Sequence, residues 1–438
     1  MKILVIGSGA REHIIIRRLH GSAFKPQLYC YGSAINPGIK KFTNDYALGD
    51  ITDCAAVVIK ARAWGINLAI IGPEAPLEKG MADRLWEAGI PVIGPKKASA
   101  QIETSKKFAR DLMQKYQING LPRYRNFSAL DEKVDDFLNE LGENYVIKAD
   151  GLMSGKGVKV AGEHLHSHSE ARDFCQEIVA KKQTFIIEEK LIGQEFSFMC
   201  FADGESLVPM PLVQDHKRAY NGDNGPNTGG MGSYSDTNHG LPFLNDNDIK
   251  EAFAINQAVL QALGREYNEK YIGILYGSFI ATKKGIYVIE FNARFGDPEV
   301  LNVLSILESD FVSICQAMVS GNLKTCGVKF SHKATVCKYT VPEGYPDNPL
   351  KDFVVDFSPV SDEKNLYLAS INQVDAQLFA TGARTAAYVG IAETIGAAEK
   401  KAEEQISLIE GPLFHRQDIG TQLLIQNRID CMQRIRTQ

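Results

Sequence analysis

The first thirteen residues constrain the fold more than any other stretch. Met1-Lys-Ile-Leu-Val-Ile6 is a short apolar, largely β-branched run, and Gly7-Ser-Gly-Ala-Arg-Glu-His13 follows it at once. A run without polar alternation predicts a strand buried on both faces, which is the property of parallel sheets. The glycine turn then opens a helix through Arg18. Strand, turn and helix N-terminus form the first unit of a doubly wound α/β domain and offer backbone amides to an anion. The spacing is not G-x-G-x-x-G, because Glu12 stands at the third glycine position, so a dinucleotide fingerprint is disfavoured. Strands at 29–31, 68–71 and 92–93, with helices near 53–64 and 76–88, continue the alternation. Turns at Ile71-Gly-Pro-Glu-Ala-Pro76 and Ile93-Gly-Pro95 fall at strand ends, where ligands sit in an open α/β sheet.

Near residue 100 the pattern shifts to a helix starting around Thr104-Ser-Lys-Lys-Phe108, which marks a domain boundary. Strands at 146–149, 158–160 and 185–187 and a helix at 168–180 follow. Between the first two lies Asp150-Gly-Leu-Met-Ser-Gly-Lys-Gly157, a loop whose glycines and lysine suit it to cover phosphates. Its spacing is not that of a Walker A loop. Lys148 sits inside an apolar strand, where lysine is rarely left without a partner. His164, His166 and His168 alternate through a polar connection, where a solvated loop is expected rather than a metal site. After a hairpin at 193–208 turning at Asp203-Gly204, Gln214-Asp-His-Lys-Arg218 and Gly225-Pro-Asn-Thr-Gly-Gly-Met-Gly232 read as one long irregular, functional tract.

The chemistry concentrates at Gly285-Ile-Tyr-Val-Ile-Glu-Phe-Asn-Ala-Arg-Phe-Gly-Asp-Pro-Glu299. In an extended strand Glu290, Asn292 and Arg294 project to one side and Phe291 to the other. A carboxylate and an amide oxygen two residues apart suit Mg²⁺, and an arginine fork suits a phosphate or carboxylate. A sheet edge facing water would carry similar residues. The other parts of a phosphate-handling site make the functional reading the better one: Lys106, Lys148, the 151–157 loop and Glu188-Glu189. No Cys–His or Ser–His pairing points to a covalent nucleophile. Position and electrostatics without protein covalent chemistry are the mark of phosphoryl transfer, and an ATP-dependent enzyme follows.

These motifs, in order from residue 1 to about 320, resemble the phosphoribosylamine–glycine ligase family of the ATP-grasp superfamily; Arg416-Gln-Asp-Ile-Gly420 fits that family's ending. The resemblance implies an α/β and α+β multidomain protein. A Rossmann-like N-terminal domain would span 1–102, an ATP-grasp core 103–328 with a mobile lid at about 123–187, and a mixed C-terminal domain 329–438. It implies ligation of glycine to 5-phosphoribosylamine through glycyl phosphate, with ATP and Mg²⁺ (or Mn²⁺). By position, Lys106, Lys148, Gly151, Ser154, Gly155, Lys156 and Gly157 would serve the ATP phosphates. Glu188, Glu189 and Leu191 would line the adenine, and Glu195 would take the ribose. Glu290 and Asn292 would hold the metal, and Arg294 would steady the phosphoryl group. Asp215, Lys217, Asn227, Thr228, Gly229 and Asp297 would shape the acceptor side. Gly7, Gly9, Gly72, Pro73 and Glu74 would receive the ribosylamine phosphate and ribose. Gly32-Ser-Ala-Ile-Asn-Pro-Gly38 departs from the family's compact Pro-Gly-Asn turn, and Leu368-Ala-Ser-Ile371 from its His-Ala-Gly-Thr segment.

Another ATP-grasp ligase or carboxylase is the alternative, disfavoured by the 214–232 tract. An NAD-dependent oxidoreductase lacks the third glycine, and a non-catalytic nucleotide-binding regulator would not need the filled lysine, arginine and metal positions. A net charge of −5 gives no basic field for nucleic acid or an anionic membrane. The eight scattered cysteines show no C-x-x-C pair, so reduced thiols are expected in place of zinc or disulfides. No apolar stretch reaches membrane-spanning length and no signal-like run opens the chain, so a cytoplasmic protein is expected. It would work as a monomer in transient contact with the upstream amidotransferase.

Overall fold

A computed structural model of the chain describes residues 1–152 and 157–437. The N-terminal sheet is parallel, in the order Asp45–Leu48, Gln27–Gly32, Lys2–Ile6, Leu68–Ile71, Val92–Ile93. Ile3, Leu4, Val5 and Ile6 are fully buried at its centre. Each such side chain contributes about 1.5–3 kcal/mol of burial, which is why this segment takes the middle position. The expected helix at 76–88 is instead two, Glu74–Glu78 and Met81–Glu87. Gly80, at φ 81°, turns the chain between them in a conformation that side chains resist. Helix Lys97–Thr104 precedes the helix expected near 104, and Ser105 divides it from Lys106–Lys115, capping the latter through Phe108 N at 3.1 Å.

A four-stranded antiparallel sheet follows, in the order Tyr124–Phe127, Phe185–Glu189, Tyr145–Ala149, Val158–Val160. Helices Glu132–Leu141 and His168–Ala180 cover it and close a core of their own around Phe127, Phe137, Ile147 and Phe185. The remaining hydrophobic clusters instead run between the N-terminal sheet, a second antiparallel sheet and the C-terminal sheet. Segment 123–189 is thus a separately packed unit set on a shared body. The second sheet runs Leu207–Pro209, Gly193–Asp203, Ile272–Thr282, Gly285–Asn292, with helix Asp246–Tyr267 packed against it.

The tract 214–232 corrects the expectation of irregular structure. It contains Gln214–Asp215, Arg218–Tyr220, Asn224–Asn227 and the start of Gly232–Ser235, strands too short for a period-two pattern to emerge. Gly232–Ser235 pairs with Ala334–Pro342, so the tract is built into the C-terminal sheet. That sheet continues through Ala386–Ala392 and Leu366–Leu368 and is covered by Ile395–Ile406. A final helix, Gln422–Thr437, packs against Gly193–Asp203 and Ile272–Thr282. Among the described residues no helix is long and apolar enough to cross a membrane. All eight cysteines are free thiols.

Candidate active site

Strand Gly285–Asn292 forms the floor. Phe291 is buried in the core, while Glu290 and Asn292 lie opposite Ser278 and Tyr276 on the neighbouring strand. The strand ends at Asn292, so strict alternation does not reach Arg294. Arg294 Nε pairs with Glu74 at 3.2 Å, its Nη2 with Glu103 at 2.9 Å, and its Nη1 donates to the Phe295 carbonyl. The fork expected to be open to a phosphoryl group is therefore engaged by two carboxylates. Burial opposes charge on Glu290, but Lys217, Lys106, Lys148 and Arg294 outweigh it and hold its pKa below the usual range.

Above the floor, Lys148 Nζ lies 2.6 Å from Glu188 and donates to the Ile289 carbonyl at 3.1 Å. Arg110 meets the same Glu188 with Nε at 2.6 Å. Against the cost of burial, Arg110 and Lys148 bring the Glu188 pKa down to about 2. Lys106 Nζ donates to the Gly151 carbonyl at 2.9 Å, and the Gly157 carbonyl accepts from Ala149, so both ends of the loop are anchored. Ser154, Gly155 and Lys156 lie outside the described residues. Glu189 accepts from Arg123 N at 2.8 Å, Leu191 is half-buried in the link to the next strand, and Glu195 is exposed.

On the acceptor side, Lys217 is surrounded by Asp215, Glu195, Glu290 and Glu299, with Asp215 the largest influence raising its pKa against burial. Burial raises the Asp215 carboxyl more than Lys217 lowers it. Thr228 returns its N–H and hydroxyl to the Lys217 carbonyl at 2.7 and 2.8 Å. Asn227 is exposed at the end of its strand. Arg384 ties this loop to the floor: it pairs with Asp297 at 3.0 Å and donates to the Gly229 and Gly230 carbonyls. Tyr339 donates to the other Asp297 oxygen at 2.7 Å.

At the turn, the Gly7 and Gly9 amides are bonded within the chain. Gly9 N donates to Glu12 Oε2 at 2.6 Å, Gly7 N to the Tyr31 carbonyl and Gly72 N to the Ile6 carbonyl. A carboxylate of the chain itself, and backbone carbonyls, take these three amides. A Cβ on Gly72 would fall 2.0 Å from Glu12 Oε1, so glycine is required there to make room for that side chain. Pro73 caps the short helix that carries Glu74 toward Arg294. The segments that depart from the family pattern meet here, since Asn36 donates to the Ser8 and Leu368 carbonyls.

Three family models of phosphoribosylglycinamide synthetase match the chain in order: the N domain residues 1–103, the ATP-grasp (A) domain 104–300 and the C domain 335–422. The phosphoribosylamine–glycine ligase of Methanosarcina barkeri (strain Fusaro / DSM 804) is 49% identical over 436 residues, covering 100% of both chains. That of Methanocella arvoryzae (strain DSM 22066 / NBRC 105507 / MRE50) is 46% identical over 440 residues, again with 100% of both covered. The solved phosphoribosylamine–glycine ligase of Thermotoga maritima is 27% identical and superposes with a TM-score of 0.79, over 95% of this chain and 100% of that one. The chain belongs to the phosphoribosylamine–glycine ligase family. It is an ATP-dependent carbon–nitrogen ligase with an ATP-grasp core.

Within this ligase family setting, four side chains that sequence reading did not single out organise the site. Glu12 fills the glycine turn, Glu103 holds Arg294 and accepts from Ala293 N at 2.8 Å, Arg110 holds Glu188, and Arg384 holds Asp297. Arg416, nearly fully buried, secures the far end of the acceptor hairpin by donating to the Arg218 carbonyl and pairing with Asp223 at 2.9 Å. Glu12 alone had a local signal, the acid three residues after Gly9 that makes a capping box.

Proposed function

We propose that this chain ligates glycine to 5-phosphoribosylamine with ATP, giving glycinamide ribonucleotide, ADP and phosphate in purine biosynthesis. The observation that carries the reading is the gathering of Lys106, Lys148, Lys217 and Arg294 around Glu290, beside the Asp215–Lys217 pair. Lys106, held by a backbone carbonyl, and the uncommitted N–H of Lys148 face the β- and γ-phosphates on one side, and Asp215 with Lys217 makes a charged seat for a small zwitterion on the other. The glycine carboxylate attacks the γ-phosphate, and the ribosylamine nitrogen then opens glycyl phosphate to the amide. Lys106 and Lys148 hold the phosphates. Arg294, fixed by Glu74 and Glu103, directs its field at the transferring group. Asp215 and Lys217 orient glycine, with Asn227, Thr228, Gly229 and Asp297 enclosing it. Glu188, Glu189 and Leu191 border the adenine, and Glu195 the ribose.

Glu290 and Asn292 fit a divalent cation of the Mg²⁺ or Mn²⁺ type, because both present hard oxygens and the surrounding cations keep Glu290 ionised. When bound, such an ion neutralises phosphate charge. The glycines at 7, 9 and 72 allow ribosylamine a close approach near Pro73 and Glu74 without donating amides to its phosphate. The working unit is a cytoplasmic monomer with domains at 1–102, 103–328 and 329–438, taking ribosylamine by transient contact with the amidotransferase that forms it. The 123–187 unit closes as a lid and excludes water, which would hydrolyse both acyl phosphate and ribosylamine. Holding the amine against the acyl carbon contributes up to about 7–11 kcal/mol.

The test is ADP release with Mg²⁺ across a panel of amino acids, with and without freshly made phosphoribosylamine. Release that requires both glycine and ribosylamine is expected. Release indifferent to either would sink the assignment.

A further inference from the structure

A buried charge cluster in the ATP half of the molecule centres on Arg110. Arg110 stands one helical turn after Lys106 on helix Lys106–Lys115, and it is 3% exposed. Its Nε and Nη2 grip Glu188 at 2.6 and 3.2 Å, while Nη2 also donates to the Val288 carbonyl at 3.2 Å and the Ile289 carbonyl at 2.8 Å. Glu188 belongs to the separately packed 123–189 unit, whereas Val288 and Ile289 lead directly into Glu290 on the floor strand. We propose that Arg110 is a positioning residue for ATP binding: it fixes Glu188, and through Glu188 the Lys148 ammonium, in register with the floor strand at Glu290. The inference rests on the assignment of Lys148 to the ATP phosphates.

The geometry of Lys148 gives the reason. An ammonium has three N–H donors. Two are committed, one to Glu188 at 2.6 Å and one to the Ile289 carbonyl at 3.1 Å, which leaves one for a phosphate oxygen. Both committed acceptors are also acceptors of Arg110, so a single guanidinium sets the direction of the third. Without Arg110, Glu188 has one cation instead of two and turns its whole charge onto Lys148, in competition with the phosphate. A planar fork holds a carboxylate in two places and so fixes its orientation, which an ammonium at the same position cannot do. A buried ion pair serving only to hold the fold would not need to share its acceptors with a lysine that points into the site. Replacing such a pair by apolar side chains is often neutral for stability, so stability alone is a poor reason for this one.

The experiment compares wild type, Arg110→Met and Arg110→Lys. ATP affinity is measured directly by calorimetry in the absence of glycine and ribosylamine, and KM for ATP and for glycine are measured separately in the full reaction. Arg110→Met is expected to weaken ATP binding by about 10- to 100-fold, the range typical when an outer partner of a binding group is lost. KM for glycine should stay within about twofold, and Arg110→Lys should recover part of the ATP loss by restoring charge without the fork. ATP affinity unchanged in Arg110→Met, or equal losses for ATP and glycine, would overturn the inference. If Arg110→Met does not fold, Arg110→Lys decides: wild-type ATP affinity in that variant rejects a role for the fork. Loss of ATP binding in the variants, alongside wild-type ADP release that ignores glycine, would leave Arg110 as proposed and reject the glycine ligase reading instead.

Discussion

The floor strand and the N-terminal glycine turn both aim backbone and charge at the middle of the molecule, and they dispose of it in opposite ways. At the floor, the charges of Lys217, Lys106, Lys148 and Arg294 all bear on Glu290, and what is left for an incoming phosphate is Lys106, held by the Gly151 carbonyl, and the third N–H of Lys148. At the turn, Glu12 takes the Gly9 amide and pairs with Arg11 at 2.6 Å, so that amide and that guanidinium are already matched. A helix N-terminus is an anion site only while its amides are free. Here the acid at the third glycine position occupies the Gly9 amide that the turn would otherwise offer. The difference shows why donor type is a weaker guide than donor count against the acceptors already present.

The sharpest break of this comparison is Glu290→Ala. Its side chain faces away from the Phe291 core, so the fold should persist with an unchanged melting profile. Turnover, followed as ADP release, should fall by on the order of 10³-fold, as when a preorganised charge partner is removed from a reacting centre. Retained turnover at limiting Mg²⁺ would take the metal role away from this strand. Lys217→Met should come next. It leaves Asp215, Glu195 and Glu299 without their common cation, and kcat/KM for glycine should drop about 100-fold while KM for ATP changes little. An equal rise in both KM values would place Lys217 on the ATP side and dissolve the division of the site.

The turn is tested by Glu12→Gln and Gly72→Ala. An amide retains shape but not charge, so loss of the charged cap should cost about 1 kcal/mol in denaturant unfolding. Ribosylamine KM should not improve. If it fell, the turn would be a phosphate cradle that Glu12 merely blocks. Gly72→Ala puts a methyl 2.0 Å from Glu12 Oε1 and should destabilise by about 1–3 kcal/mol through forced displacement of that side chain.

Much of the fold could be read from local pattern because local pattern causes it. The buried run 2–6, the strand at Leu68–Ile71 and the helix His168–Ala180, capped by Ser167, declare themselves within their own length. Helix Glu132–Leu141 had a usable signal in its Asp131 cap and in Val134, Phe137, Leu138 and Leu141 on one face. Strand Asp45–Leu48 is a half-exposed edge whose pairing with Gln27–Gly32, not its composition, makes it a strand. In the site, Glu290 and Asn292 were legible since alternation along one strand places them. Arg110 and Arg384 were not, because their partners lie 78 and 87 or more residues away and only the packing of separate elements joins them. Arg294 shows the limit from the other side: its type and place were readable, but its two carboxylate partners come from helices Glu74–Glu78 and Lys97–Thr104.

The smallest expected effect uses acid to separate the two regions. His13 is buried behind the glycine turn, its Nδ1 accepting from Leu368 N at 3.0 Å, and burial followed by Arg17 and Lys41 lowers its pKa to about 3. Burial likewise brings His216, whose ring faces Arg428 and Arg416, to about 3. An unfolded histidine takes up its proton near pH 6.5, so between 6.5 and 3 the unfolded chain binds more protons than the folded one and stability falls as pH falls. Glu188 acts lower: its folded pKa of about 2 gives stability that is present above the unfolded value of 4.5 and is lost only as pH drops from 4.5 toward 2. Between pH 7.5 and 5.5 the loss should therefore come from the histidines and not from the floor, at about 1.4 kcal/mol for each. Urea unfolding at the two pH values measures it. His13→Asn should remove one histidine's share of the pH dependence, whereas Glu188→Gln should leave the difference between pH 7.5 and 5.5 as it is in the wild type. A pH dependence that survives His13→Asn in full would mean that the ring is protonated behind the turn.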